Sequence, residues 1–201
     1  MNEPVPSHRT FDAMAGMFGW MFRAAECPFG FLEGKSFLEI GTGQYMNHPM
    51  AALVCGASEV WTHDIKDNRT PNQEAPFDNV VMANRFLSDL VGQGFFTDRM
   101  KERSLDDVVF TTEWPRRKFD VMFSYSVLEH LDIESVGSVL LGIRNALCRF
   151  GMSLHYIDIT DKNRANDYAS KDWKNLFELI NWNVEIPFTA SDGSYMVIKT
   201  T

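Results

Sequence analysis

No apolar run in the 201 residues approaches the roughly 18 that a membrane-spanning helix requires. The N-terminus lacks a basic stretch followed by a continuous apolar core, so the expectation is a protein neither secreted nor membrane-spanning. Cysteine is scarce: Cys27, Cys55 and Cys148 are scattered, odd in number and without metal-ligand spacing, which fits a reducing cytoplasm. Positive charge is also short, with 19 Lys and Arg against 27 Asp and Glu and a formal net charge of −8. Such a balance repels phosphate backbones, and the one compact basic cluster, Arg116-Arg117-Lys118, reads as a solvated turn. No nucleic-acid partner and no membrane partner are expected. Internal repeats and low-complexity tracts are absent. What is present is 45% hydrophobic and 23% charged residues, the composition of a folded globular chain rather than a disordered one.

Hydrophobic periodicity supplies the elements. Phe11, Met14, Phe18, Met21 and Phe22 recur at near-helical spacing within Phe11 to Phe31. The expectation is a helix in a segment 1–35 that either packs on the core or caps a ligand, followed by a main domain over 36–201. Phe37 to Ile40, Val60 to Ile65, Val108 to Thr111, Phe119 to Tyr125 and Met152 to Ile159 read as strands. Helices are expected from Asn47, with Asn47 as cap and Gly56 as terminator, and within Asn79 to Arg103. Another is expected after the cap Asp132, with Ile133, Val136, Val139, Leu140, Ile143 and Leu147 inward. The last runs over Ser170 to Ile180, with Trp173, Leu176, Phe177 and Ile180 inward. Val184 to Phe188 and Tyr195 to Lys199, joined through Ser191-Asp192-Gly193, form a terminal hairpin. Alternating strands and helices imply an α/β fold with a doubly wound, mostly parallel sheet and a C-terminal antiparallel hairpin.

The stretch Phe37-Leu38-Glu39-Ile40-Gly41-Thr42-Gly43-Gln44 ends an apolar strand in an acid and two glycines just before a helix. Glycine permits backbone angles closed to other residues and lets a ligand approach the main chain. A dinucleotide site calls for a third glycine where this chain has Met46, and no Gly-Lys-Ser/Thr follows for a P-loop. A nucleoside ligand without phosphates remains, S-adenosylmethionine among them, with Glu39 placed for an amino group and Asp64 for ribose hydroxyls.

Leu38-Glu39-Ile40-Gly41-Thr42-Gly43, Asp64, and Phe119-Asp120-Val121 with Ser126-Val127-Leu128-Glu129-His130 resemble the signature stretches of class I S-adenosylmethionine-dependent methyltransferases. The resemblance spans about Ser36 to Ile159 and implies their Rossmann-like fold and S-adenosyl-L-methionine as cofactor. It implies Glu39, Gly41, Thr42, Gly43 and Gln44 at the methionine part, Asp64 at the ribose, Ile65 on the adenine and Thr111 or Thr112 at its edge. Ser124 and Tyr125 fall where cofactor and acceptor meet. Tyr45 departs from the family's acid-x-Gly-x-Gly-x-Gly pattern, which puts the methionine end of the pocket in question. Amino-methylating DNA enzymes of the superfamily carry Asp/Asn-Pro-Pro-Tyr/Phe after the central strand, whereas this chain has Ser124-Tyr125-Ser126-Val127.

A small-molecule acceptor is therefore expected, with methyl transfer to oxygen, nitrogen or carbon open. His130 is the candidate general base, because its reference pKa lies near neutrality. Glu129 and Tyr125 are the other catalytic candidates. His155-Tyr156-Ile157-Asp158-Ile159-Thr160-Asp161 groups polar residues at a strand end, but one histidine with separated carboxylates does not make a metal site expected. His8 and Arg9 could reach the site from the N-terminus or remain in solvent. Two alternatives stand beside the methyltransferase: an enzyme that cleaves or cyclises the same cofactor, and a non-catalytic partner subunit that keeps the fold.

Overall fold

The computed structural model describes residues 11–28, 30–43, 46–67, 103–160, 170–180 and 182–201. The helix expected within Asn79 to Arg103 falls, but for Arg103, outside them, as do His8, Arg9, Gln44, Tyr45 and Asp161. The chain divides into two compact units, Met1–Trp114 and Pro115–Thr201.

In the first unit, helix α1 (Phe11–Ala24) precedes strand β1 (Ser36–Ile40), helix α2 (Asn47–Val54), strand β2 (Glu59–His63) and strand β3 (Val108–Thr111). β1 and β2 pair in parallel from Ser36 opposite Glu59 to Ile40 opposite His63. β2 and β3 pair in parallel from Val60 opposite Val108 to His63 opposite Thr111. Within α1, Met17, Phe18, Met21 and Phe22 are fully buried. Each such burial is worth roughly 1.5–3 kcal/mol of transfer free energy. Phe18 meets Phe37 of β1 at a centroid distance of 5.8 Å.

Every residue of α2 is buried. Asn47 does not cap it, contrary to expectation: Met46 holds the cap position without a side-chain bond, and Asn47 is the first helical residue. The end matches. Gly56 sits at φ 96°, its N–H donates to Leu53 O, and Ala57 N–H donates to Ala52 O. That is a Schellman closure, which only a residue comfortable at positive φ makes cheaply.

The second unit holds β4 (Phe119–Tyr125), a short 3-10 turn (Leu128–His130), α3 (Ile133–Ala146), β5 (Leu147–Asp158), α4 (Ser170–Leu179), β6 (Val184–Thr189) and β7 (Tyr195–Thr200). β4 and β5 are parallel, and β7 pairs antiparallel with both β5 and β6. Asp132 caps α3 as expected, its carboxylate accepting from Ser135 N–H at 2.7 Å. Val136, Leu140 and Ile143 are the fully buried stripe. Leu147 belongs to β5 rather than to the helix, and Ile180 follows α4 rather than ending it. The last helix turns Trp173 and Phe177 into the core, and the terminal hairpin turns at Gly193, φ 73°.

The seven strands make a mixed sheet, in the order β3-β2-β1 within the first unit and β4-β5-β7-β6 within the second. This is the α/β, mostly parallel architecture with a C-terminal antiparallel hairpin that the alternation of elements implied. β3 lies at the edge of the sheet, and its Val109 is 41% exposed.

β5 starts earlier than its apolar run suggested, because Leu147 to Gly151 form an irregular stretch. Phe119 pairs with Leu147 and Val121 with Met152, so two steps on β4 face five on β5. A Cβ at Gly151 would lie 3.0 Å from Asp120 O and 3.1 Å from Phe119 O. At Gly137, inside α3, it would meet nothing within 4 Å. Gly151→Ala is therefore expected to destabilise by about 1–3 kcal/mol through overpacking against backbone. Gly137→Ala is expected to stabilise by about 1 kcal/mol through helix propensity. Urea unfolding midpoints would show the opposite signs; a common sign would refute the close-approach argument.

Candidate functional site

The candidate site lies at the parallel ends of β1, β2 and β3. Because the three strands run the same way, Ile40, His63 and Thr111 end at one edge of the first unit. The ladder continues beyond them: Gly41 N–H donates to His63 O at 2.8 Å, and Asp64 N–H donates to Thr111 O at 3.2 Å. Gly41 and Gly43 both take the left-handed conformation, at φ 74° and 64°. This turns the chain back so that Gly43 N–H donates to Asp64 Oδ2 at 3.0 Å. A Cβ at Gly43 would meet nothing within 4 Å, leaving open space against the main chain of the turn. The acid after β2 is thus tied to the turn after β1, and its carboxylate, with two oxygens, keeps capacity for further donors.

Glu39, the residue before the last of β1, is only 1% exposed. His48 on α2 reaches its Oε1 from Nδ1 at 2.6 Å. Among the described residues Glu39 Oε2, Thr42 Oγ1 and Thr62 Oγ1 are buried without a hydrogen-bond partner. Thr62 stands opposite Glu39 in the ladder, so both side chains leave the same face of the sheet. A buried acceptor left unmade costs roughly 1–3 kcal/mol, more for a charged group. An acidic oxygen and two hydroxyls in that condition suit a cationic donor, such as the ammonium of an amino-acid moiety. His48 was not singled out from the sequence: nothing in its nine-residue separation from Glu39 shows that strand, turn and helix fold the two together.

The outer residues of this edge are less committed. Ile65 is 83% exposed. His63 Nδ1 donates to Thr111 O at 3.2 Å, and burial pushes its pKa down. The Thr111 hydroxyl donates to Glu113 O at 2.8 Å and accepts from Glu113 N–H at 3.0 Å, closing a local turn. Thr112 beside it is exposed.

In the second unit, Ser124 and Tyr125 end β4 on opposite faces. Ser124 is fully buried, its hydroxyl 2.8 Å from His155 Nδ1. His155 Nε2 lies 2.8 Å from Ser153 Oγ, which lies 2.6 Å from Thr200 Oγ1. A neutral imidazole supplies one donor and one acceptor to this chain, and burial holds His155 neutral by pushing its pKa down to about 3. Ser124 is thereby tied into the interior.

Tyr125 stacks on Tyr156 at 4.6 Å, Tyr156 on Tyr195 at 5.3 Å and Tyr195 on Phe188 at 5.7 Å. Burial, with the charges of Asp158 and Glu129 added, pushes the Tyr125 hydroxyl pKa up, so it stays a phenol near neutral pH. Ser126 then takes φ 49°, a strained angle for a non-glycine residue, and leads into the 3-10 turn. Glu129, 1% exposed, curls inward from that turn and accepts Asp158 N–H at 2.9 Å. Burial raises its pKa, and that bond opposes the rise. His130, next along, is exposed. The fold thus brings Tyr125 and Glu129 to the end of β5 at Asp158, while Ser124 faces away from them. Among the described residues no cluster of three or more His, Cys, Asp or Glu is arranged to hold a metal.

No protein-family model and no curated protein sequence matches the chain. Solved structures do. A TehB-like S-adenosylmethionine-dependent methyltransferase from Corynebacterium glutamicum aligns with TM-score 0.58 at 14% identity, covering 92% of this chain and 86% of that one. The glycopeptide N-methyltransferase MtfA aligns with TM-score 0.58 at 11% identity, covering 93% and 90%. Magnesium protoporphyrin IX methyltransferase from Synechocystis PCC 6803, solved with its bound methyl donor, aligns with TM-score 0.53 at 12% identity, covering 94% and 78%. The fold of this chain is the fold these methyltransferases share.

The buried histidine makes stability depend on pH. His155 gains its proton near 6.5 when unfolded but only near 3 when folded. Between those values the unfolded chain binds more protons, so stability falls as pH falls from 6.5 toward 3. In His155→Gln the urea midpoint should fall less steeply across that window than in the wild type. Parallel slopes would show that His155 is not the titrating group.

Proposed function

We propose that the chain is an S-adenosyl-L-methionine-dependent methyltransferase acting on a small-molecule acceptor. The observation that carries this reading is the buried Glu39 Oε2 left without a partner beside a glycine turn that Asp64 clasps, in a fold shared with methyltransferases. The resemblance of the same residues to the methyltransferase signature agrees with it. The small-molecule acceptor rests on the net charge of −8 and on Ser124-Tyr125-Ser126-Val127 after β4. Among the structural neighbours the named substrates range from a glycopeptide to a porphyrin, so the fold does not choose among acceptors.

When bound, the cofactor supplies a methyl group already electrophilic on its sulfonium. Glu39, Thr42 and Gln44 would take the amino-acid end, with Gly41 and Gly43 in the turn beside it. Asp64 would accept the ribose hydroxyls with the oxygen capacity its bond to Gly43 leaves. Ile65 would cover the adenine, and Thr112, whose neighbour Thr111 has its hydroxyl committed to Glu113, would meet the adenine edge. In this reading residues 1–35 serve as a cap and 36–201 as the cofactor-binding domain.

The chain's further work is to align the acceptor and remove a proton from it. His130 is exposed and so able to exchange that proton with water, which suits the base role. Glu129 is committed to Asp158 N–H and fixes the end of β5. Tyr125, held as a phenol, can donate or accept a hydrogen bond at the acceptor.

Titration calorimetry with S-adenosylmethionine and S-adenosylhomocysteine should give micromolar binding. Asp64→Ala should weaken it by about 1–3 kcal/mol, roughly 5- to 150-fold. Undiminished affinity in the variant would remove Asp64 from the site, and no binding to the folded wild type would favour the partner-subunit alternative. With an acceptor found by screening, S-adenosylhomocysteine as product would separate transfer from cleavage, which releases methylthioadenosine. His130→Ala should then lower turnover while leaving cofactor affinity unchanged; full turnover across pH would reject the base.

A further inference from the structure

Outside the residues that carry the methyltransferase resemblance, His48 of the first unit is a further polar side chain directed at them. His48 is 4% exposed, in the first turn of α2, and its Nδ1 lies 2.6 Å from Glu39 Oε1. Its ring is also held from the side. Phe18 of α1 stacks on it nearly parallel, at 6.2 Å and 18°, and Phe18 is itself fixed between Phe22 at 4.8 Å and Phe37 at 5.8 Å. The imidazole therefore has its plane set by an aromatic ring and its azimuth set by a hydrogen bond. A carboxylate on β1 gripped at one oxygen by such a ring can rotate little, and its other oxygen is left buried without a partner among the described residues.

We propose that His48 is a positioning residue for cofactor binding, holding Glu39 by Oε1 so that Oε2 is presented to the ammonium of the methyl donor. The proposal rests on the methyltransferase reading. Its physical basis is preorganisation: a carboxylate already desolvated and oriented does not have to surrender water or rotamer freedom when the ammonium arrives. Nδ1 donates one hydrogen bond to Oε1, which leaves the lone pairs of Oε2 for a charge-assisted bond. α1 enters the same arrangement through Phe18, so the N-terminal helix supports the amino-acid end of the site through His48.

The test compares two ligands that share the adenosine but differ at the end His48 serves. S-adenosylhomocysteine carries the amino-acid group; methylthioadenosine does not. His48→Leu, which keeps the apolar contact with Phe18 but gives no donor, should weaken S-adenosylhomocysteine by about tenfold or more, the scale of a charge-assisted bond. Methylthioadenosine affinity should stay at the wild-type value. His48→Asn, whose amide nitrogen falls near the Nδ1 position, should recover most of the lost affinity. Should His48→Leu fail to fold, His48→Gln, whose amide reaches the Nε2 side instead, carries the same comparison. Unchanged or tighter S-adenosylhomocysteine binding would overturn the proposal, and so would an equal loss for both ligands, which marks a merely structural residue. A wild type that binds neither ligand would fail at the earlier step and overturn the methyltransferase reading itself.

Discussion

Parallel register is the constraint on which the first unit depends. Pairing Glu39 with Thr62 and Ile40 with His63 brings the glycine turn after β1 and the acid after β2 out at the same edge. The bond from Gly43 N–H to Asp64 exists because of that alignment. A slip of one residue would send Glu39 to the opposite face of the sheet, since side chains alternate with period two. Two glycines at positive φ are what let the chain reverse tightly enough to use it. Close backbone approach, open space at Gly43 and a carboxylate clasping the turn are thus consequences of one pairing.

Polar burial is handled in two ways, and the contrast is informative. In the second unit Ser124, His155, Ser153 and Thr200 form a run of hydrogen bonds across β4, β5 and β7. Each histidine nitrogen has a hydroxyl partner there, and burial can hold the ring neutral without leaving a polar atom unmade. In the first unit Glu39 is satisfied on one oxygen only, with Thr42 and Thr62 hydroxyls buried and unpaired nearby in the ladder and turn. Interiors seldom tolerate such a deficit without a use for it. The satisfied network reads as architecture and the deficient one as a place prepared for a polar ligand.

The end of β4 shows a third pattern. Stacked rings run from Tyr125 through Tyr156 and Tyr195 to Phe188, crossing the antiparallel hairpin. Ser126 adopts a strained angle just beyond, and Glu129 folds back onto the main chain of Asp158. The Glu129 carboxylate ties the turn that carries His130 to the end of β5. Strain kept in place by such over-determined surroundings is characteristic of working sites.

Much of this was legible in the linear chain, because its signals are local. Apolar runs bounded by glycine, the Asp132 cap, the Gly56 terminator and the Ser191-Asp192-Gly193 turn act within a few residues, so strands, helices and hairpin followed from them. The acid and glycines after β1 and the acid after β2 were likewise readable as chemistry. The differences have tertiary causes: cap preference is local and points to Asn47, while α2, buried along its whole length, starts with Met46 at the cap. β5 begins early because Gly151 lets it lie against the main chain of β4, a contact that periodicity does not encode. Sequence alone determined the order and kind of the elements and the residue types at the strand ends, since these depend on neighbours along the chain. Only the tertiary structure decided that His48 grips Glu39, that Ser124 faces inward to His155 and that Glu129 clamps Asp158, because each joins residues that meet only when strands and helices pack.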